Sequence, residues 1–524
     1  MPTLLALAVA GLNLGAPVWN GAIATDAIQA VVDAAAPTVR LNFRLDQWSS
    51  PNDTTKHGGK TFFEAYDSIV DSFVSQGIEV YGLLNDEVVS GSGDFDDAYA
   101  ANALAVVDHF KDRVRVWETL NEPNDYAGGT SARYPAASFA EAHARVYDAV
   151  KAKHPNDACW DVKIVTGPLF SFDGTTAADY LDQTIAAGRA SGTWKALRDA
   201  LGRDPVDDVG YHLYVAQGSD SPIADVGAIA GKNLDAIHGV LAKYGLGDRR
   251  AWISEIGWQV PAVDEQGQAD RLDATFASLG ARDDVASIQW FTIADFGGAG
   301  WGLYRSSIAP GNERPAHTRF VAQAKAYAHA LAAKLVVELP KQLTVGETVV
   351  AKVKATNVGK DAWTAADGVR LGAASGCPSA WATNAWTWEV ASPSGYANAI
   401  TDARRFLDAS ANVAQGEDVD LDVPLTAPKT PGTVRFAARM VKEGVAWFGA
   451  TAIADVTIVA ASASPPPGST TPPGETPRAG AASEAAPPSA NGGCGCREAP
   501  ARDTGAGILV ALAALALSRA RRRS

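Results

Sequence analysis

Short β-branched and aromatic runs alternate with longer amphipathic segments from Gly11 to about Ala333, and this alternation restricts the chain to few architectures. Strands are predicted at Gly11 to Leu14, Thr38 to Phe43, Ile78 to Leu84, Val114 to Leu120, Lys163 to Gly167, Asp208 to Leu213, Ala251 to Glu255 and Ser287 to Ile293. Helical spacing fills the gaps, as in IATDAIQAVVDAAA, TFFEAYDSIVDSFVSQG, SFAEAHARVYDAVKAKH and KNLDAIHGVLAKYG. Strands joined by helices run parallel, since a parallel neighbour needs a crossover that a hairpin cannot supply. Eight such strands can close on themselves and leave no edge, which predicts a (β/α)8 barrel over residues 11–333. An open doubly wound sheet is the structural alternative, but no Gly-rich phosphate turn follows the first predicted strand.

Beyond Leu335 the apolar period falls to two, in LTVGETVVAKVKATNVG, EDVDLDVPLTA and GTVRFAARMV, which predicts a β-sandwich over residues 335–460. Residues 462–493 are rich in Pro, Ser, Thr and Gly with hardly an apolar anchor, so burial cannot offset their ordering entropy and they read as a disordered spacer. Residues 494–524 hold a Cys-Gly-Cys, an apolar run from Ala506 to Leu517 and an arginine cluster. That run is shorter than the roughly 20 residues of a spanning helix and is expected to form a short hydrophobic helix with a positive stop. Residues 1–10 read as a truncated signal peptide with a small-x-small site at Ala8-Val9-Ala10, the true start lying upstream. The fold class expected is thus α/β: a TIM barrel, then a β-sandwich, a linker and a short terminal helix.

A net charge of −14 with no basic cluster before the last residues argues against nucleic acid as partner. Cys159 and Cys377 fall in different predicted domains, and Cys494 and Cys496 are too close for an ordinary disulfide. The histidines, among them His57, His109, His154 and His238, are scattered without ligand spacing. No metal and no cofactor is therefore expected.

The stretch WETLNEPN places Glu118 and Glu122 four residues apart where the fourth predicted strand gives way to Pro123. In a (β/α)8 barrel, polar residues at the C-terminal ends of strands face the active site. Glu122 has that position, and Glu255 in AWISEIGW has it on the seventh strand. Two carboxylates in one barrel mouth suit glycosidic bond cleavage, in which one gives a proton to the leaving oxygen and the other attacks or activates water. Glu118 lies deeper on the same strand and is read as a buried support. The plainer reading of Glu122 and Glu255 is a structural pair with Arg40. His212 and Tyr214, two residues apart on one face, could be core polar groups, and Trp290 could be packing.

WETLNEP and SEIGW resemble the motifs of clan A glycoside hydrolases, whose catalytic glutamates end strands four and seven. Arg40 in TVRLNF, His212 and Tyr214 in GYHLY, and Trp290 in IQWF fall at further clan positions, so the resemblance spans the whole barrel. It implies Glu122 as general acid/base, Glu255 as nucleophile beside Arg40 and the Tyr214 hydroxyl, and Asn121 as a partner of the sugar 2-OH. It also implies His212 beside the acid/base and Trp290 as the floor under the scissile sugar. Family-five members carry a histidine after strand three, where YGLLNDE has Asn85 or Asp86; this departure leaves family-thirty-nine-like and other branches open.

Two further resemblances concern the rest of the chain. TNVGKDAWTAADGVRLG and RMVKEGVAWFG resemble an immunoglobulin-like four-tryptophan domain with Trp363, Trp386 or Trp388, and Trp447 as signature residues. The tail from Cys494 resembles a myxobacterial C-terminal sorting signal and implies export and attachment to the cell envelope.

The expectation is a surface-attached retaining hydrolase of a β-linked carbohydrate, with cellulose, xylan, mannan and surface glycans all open. The rival is a non-catalytic carbohydrate-binding or adhesive surface protein. Retention of both glutamates counts against it, because a binding module needs no acid and nucleophile together. Aromatics at Trp19, Trp48, Tyr126, Trp258, Trp301 and Tyr304 could line a cleft.

Overall fold

The computed structural model describes residues 8–88, 95–111, 113–124, 132–153, 162–171, 176–295, 299–373, 386–388 and 404–461. The four cysteines, Tyr126, most of segment 1–10 and the segments 462–493 and 494–524 lie outside the described residues. Eight strands form a closed barrel: β1 (Val9–Gly15), β2 (Thr38–Asn42), β3 (Glu79–Leu84), β4 (Val114–Thr119), β5 (Lys163–Ser171), β6 (Asp208–Leu213), β7 (Ala251–Ile256) and β8 (Val285–Phe291). Each pairs in parallel with its sequence neighbour, and β8 closes on β1 through Val9 to Asn13 against Ser287 to Phe291. Ala8 and Ala10 are fully buried, and Val9 and Ala10 pair with Ser287 and Ile288. The small-x-small site at Ala8-Val9-Ala10 thus overlaps the start of the first barrel strand.

The helices follow from local signals. Helix α1 (Thr25–Asp33) leads to α2 (Phe62–Val74), which opens on a capping box in which Thr61 and Glu64 satisfy each other's backbone N–H. Its Phe62, Ala65, Tyr66, Ile69, Val70 and Phe73 recur at helical spacing and form the buried face. The shell continues with α3 (Phe95–Phe110), α4 (Ala136–Lys153), α5 (Thr176–Ala190), α6 (Gly192–Leu201), α7 (Ala224–Lys243), α8 (Glu265–Leu279) and α9 (Pro315–Ala326). Outward strand residues pack against this shell. Trp117 of β4, fully buried, meets Phe43 at a centroid distance of 5.0 Å. Its ring also passes over Gly82 of β3, where a Cβ would come within 2.3 Å.

After the barrel come a small two-stranded sheet that pairs Trp363–Thr364 with Asn412–Val413 and two larger sheets. One joins Ala333–Glu338, Thr348–Asn357, Asp418–Thr426 and Thr387–Trp388; the other joins Gln342–Thr344, Ala446–Val459, Gly432–Lys442, Val369–Ala373 and Arg404–Phe406. Along Thr348–Asn357, Ala351, Val353 and Ala355 point inward and alternate with exposed Lys352 and Lys354. They share one apolar core with Leu371, Phe436 and Met440 of the other sheet and with Trp363 and Trp386. Trp447 is half-buried with the Arg404 guanidinium 5.0 Å over its ring. The sandwich meets the barrel at the N-terminal end of β3, where His329 Nε2 lies 3.0 Å from Glu79 Oε2 and Lys334 donates to Gln76 at 2.7 Å. That is the end opposite the loops that carry Glu122 and Glu255. Among the described residues, no helix is long and apolar enough to cross a membrane.

Candidate active site

At the end of β4 the backbone leaves the sheet abruptly. Leu120 and Glu122 both adopt left-handed conformations, with φ of 27° and 47°. Such angles are disfavoured for residues with a Cβ and persist only where surrounding bonds fix them. Here Leu120 N donates to Leu84 O at 3.0 Å and Asn121 N donates to Asn85 Oδ1 at 3.0 Å. The result is to swing Glu122 toward the barrel axis.

Arg40 of β2 is the hub. Fully buried, it donates from Nε to Glu118 Oε2 at 2.8 Å, from Nη1 to Glu255 Oε1 at 2.9 Å and from Nη2 to Asn121 Oδ1 at 2.8 Å. Burial alone would lower its pKa, but the attraction of Glu118 and Glu255 outweighs that and raises it. Glu255 accepts three bonds in all: Arg40 and Asn13 Nδ2, the latter at 2.9 Å, on Oε1, and the Tyr214 hydroxyl at 2.6 Å on Oε2. Burial, then the Glu255 carboxylate, pushes the Tyr214 phenol well above its ordinary range, so it serves as a donor.

His212 sits between the two carboxylates. Its Nδ1 is 2.7 Å from Glu122 Oε1 and its Nε2 is 3.6 Å from Glu255 Oε1. The imidazole is fully buried, and loss of hydration brings its pKa down to about 4 despite the pull of Glu255, so the ring is neutral near pH 7. One oxygen from Glu122, one from Glu255 and one His212 nitrogen lie within 4.8 Å of one another. Arg40 already supplies positive charge at Glu255 Oε1, which opposes a second cation there, and a neutral imidazole between two carboxylates is an arrangement that can exchange protons.

Of the residues expected from sequence, Arg40, Asn121, Glu122, His212, Tyr214 and Glu255 thus converge within one bonded network. Trp290 does not join it. Its register partners Leu12 and Ile256 belong to the apolar cluster shared with the helices, and Trp290 is fully buried there, 5.8 Å from Trp258. The aromatic that faces the site is its neighbour Phe291, whose register partner is the Glu255-binding Asn13. Side chains alternate along a strand, so an offset of one residue exchanges the two faces, and the role expected of Trp290 as floor is corrected accordingly. Phe291 joins Phe170 and Trp301 around Tyr214, with centroid distances of 6.4, 5.7 and 5.5 Å to that ring. Asn13 was also missed; its signal was a lone asparagine at the end of the first predicted strand.

The loop aromatics divide similarly. Trp48, Trp258, Trp301 and Tyr304 are buried, while Trp19, on a short hairpin after β1, is 37% exposed and lies under the Arg44 guanidinium at 4.8 Å. Asn85 supports Asn121, and Asp86 binds Arg133 and the Tyr134 hydroxyl. Glu118 is fully buried between Arg40 and Ser254, as a support would be.

No protein-family model and no curated protein matches the chain. Solved structures with a similar outline include a family 39 glycoside hydrolase from Bacteroides cellulosilyticus WH2, at 14% identity over 81% of each chain and a TM-score of 0.40. GH5_18 from Streptomyces cattleya in complex with GlcNAc is similar at 14% identity over 61% of this chain and 80% of that one, with a TM-score of 0.45. A family 1 β-glucosidase from Thermotoga maritima is similar at 12% identity over 62% and 99%, with a TM-score of 0.42. At such identities and scores these are likenesses in outline, and the chemistry of this chain rests on its own side chains.

Proposed function

We propose that the protein is a retaining glycoside hydrolase of the clan A type that cleaves β-glycosidic bonds by double displacement. The observation that carries this reading is the pairing of Glu122 and Glu255, from the ends of β4 and β7, with carboxylate oxygens within 4.8 Å. Retaining enzymes hold their carboxyls about 5 to 5.5 Å apart, whereas inverting ones need about 6.5 to 9.5 Å to seat a water. The two carboxylates also differ in surroundings. Glu255 is fixed by Arg40, Asn13 and Tyr214, while Glu122 faces His212 and is the more exposed, 23% against 12%.

In the first step a Glu255 oxygen attacks the anomeric carbon as its bond to the leaving oxygen breaks. The Glu122 carboxyl gives that oxygen its proton, leaving a glycosyl ester on Glu255. In the second, Glu122 takes a proton from water, the water oxygen attacks the anomeric carbon, and the ester bond breaks to regenerate Glu255. Neutral with its proton on Nδ1, His212 donates to Glu122 Oε1 in both steps, which leaves Oε2 of Glu122 to give and take the proton. In this reading Asn121 binds the sugar 2-OH, and its bonds to Arg40 and Asn85 support that role by fixing it.

The test is turnover by the full chain on aryl β-glycosides, β-glucans, xylans and mannans, beside Glu255→Ala with and without azide. The expected result is activity lost in the variant and recovered as a glycosyl azide of inverted anomeric configuration. Activity that survives in Glu255→Ala, or wild-type binding of glycans without turnover, would overturn the reading in favour of another nucleophile or of a binding protein.

A further inference from the structure

Glu118 is a third carboxylate in the site, and neither displacement step uses it. It is fully buried on β4, four residues before Glu122. Its Oε2 accepts from Arg40, and its Oε1 accepts from Ser254 Oγ at 2.9 Å. Ser254 directly precedes Glu255, and Arg40 holds Glu255 Oε1. One side chain therefore grips two groups that set the nucleophile, and it links β4 with β2 and β7. Strand β6 makes way for it: at Gly210 a Cβ would lie 2.3 Å from Glu118 Oε1.

A buried carboxylate carries a large desolvation cost, and an apolar residue of similar size would fill the same space without it. The charge is what Glu118 adds. The groups that face it are Arg40 from β2, Tyr81 from β3, His212 from β6, and Ser254 and Glu255 from β7. Burial, then Glu118, raises the Tyr81 phenol well above its usual range, and His212 is neutral above about pH 4. With Glu255 ionised, the set Arg40, Glu118 and Glu255 has a net charge of −1; without Glu118 it would be zero.

We propose that Glu118 is a positioning residue of the hydrolase: it holds Arg40 by its Nε edge so that Nη1 and Nη2 meet Glu255 and Asn121, and its charge offsets Arg40 so that Glu255 stays reactive. This rests on the hydrolase reading above. A carboxylate stabilised by an undivided guanidinium is a weaker base and nucleophile. Glu118→Gln keeps the shape and removes the charge. Glu118→Asp keeps the charge and withdraws it by one methylene.

The experiment measures kcat, KM, the pH profile of kcat/KM and the melting temperature of the full chain, on an aryl β-glycoside that the wild type hydrolyses. For Glu118→Gln, kcat is expected to fall about tenfold with KM within about twofold, and the acid limb to move about one pH unit lower. For Glu118→Asp, kcat falls while the acid limb stays in place. A lowered melting temperature in Glu118→Gln with a wild-type kcat and pH profile would reduce Glu118 to a structural group and overturn the proposal. Should Glu118→Gln fail to fold, an unchanged kcat in Glu118→Asp overturns it. Absence of wild-type turnover on every substrate sinks the hydrolase reading and this inference with it; wild-type turnover with an unmoved Glu118→Gln profile sinks the inference alone.

Discussion

His143 and His212 are buried without charge. His143 lies between the Thr119 hydroxyl at 3.0 Å and Pro205 O at 2.9 Å, which fits a neutral ring that donates from Nε2 and accepts at Nδ1. Loss of hydration brings each imidazole to about 4 from an ordinary value of 6.5. Between those values the unfolded chain binds protons that the folded protein does not, so acid favours unfolding. Their contribution is complete above about pH 6.5 and is lost as the pH falls toward 4, up to about 3 kcal/mol for each ring. Urea unfolding of the wild type between pH 7 and 4 should show this loss, and His143→Gln should show a shallower slope. A slope unchanged in His143→Gln would mean that the ring is charged in the folded state.

Within β8, the strand was legible and its face was not. In the run SIQWF, Ser287 and Gln289 alternate with Ile288 and Trp290, but all four are buried, so the alternation by itself does not say which set points to the barrel axis. Trp290 was the larger aromatic and Phe291 the one directed at the site. Their substitutions should separate. Trp290→Ala opens a cavity in the layer between strands and helices and should cost about 3 to 5 kcal/mol of stability. Phe291→Ala should instead lower kcat/KM about tenfold at a smaller cost in stability, as expected of a group whose loss shifts Tyr214 rather than the core. Equal kinetic damage from both substitutions would contradict the facing described here.

Across the molecule, the sandwich lies at the N-terminal end of the barrel, joined through His329 and Glu79, and the cluster of Glu122, His212 and Glu255 lies at the other end. We propose that the tail attaches the protein to the cell envelope, as its Cys-Gly-Cys, apolar run and arginines suggest. A chain truncated after residue 461 should then appear in the medium with kcat unchanged, and retention of the truncated chain by cells would count against the tail as anchor. The sequence by itself determined what depends on local period and local chemistry. The eight strands, the change from helical to alternating spacing and the glutamates at two strand ends are all written in neighbouring residues. Only tertiary structure decided which side chains meet across the barrel. Asn13 with Glu255 is 242 residues away in the chain, and Arg40 with Glu118 is 78. Such pairings depend on strand register and closure, which no local signal in a doubly buried strand encodes.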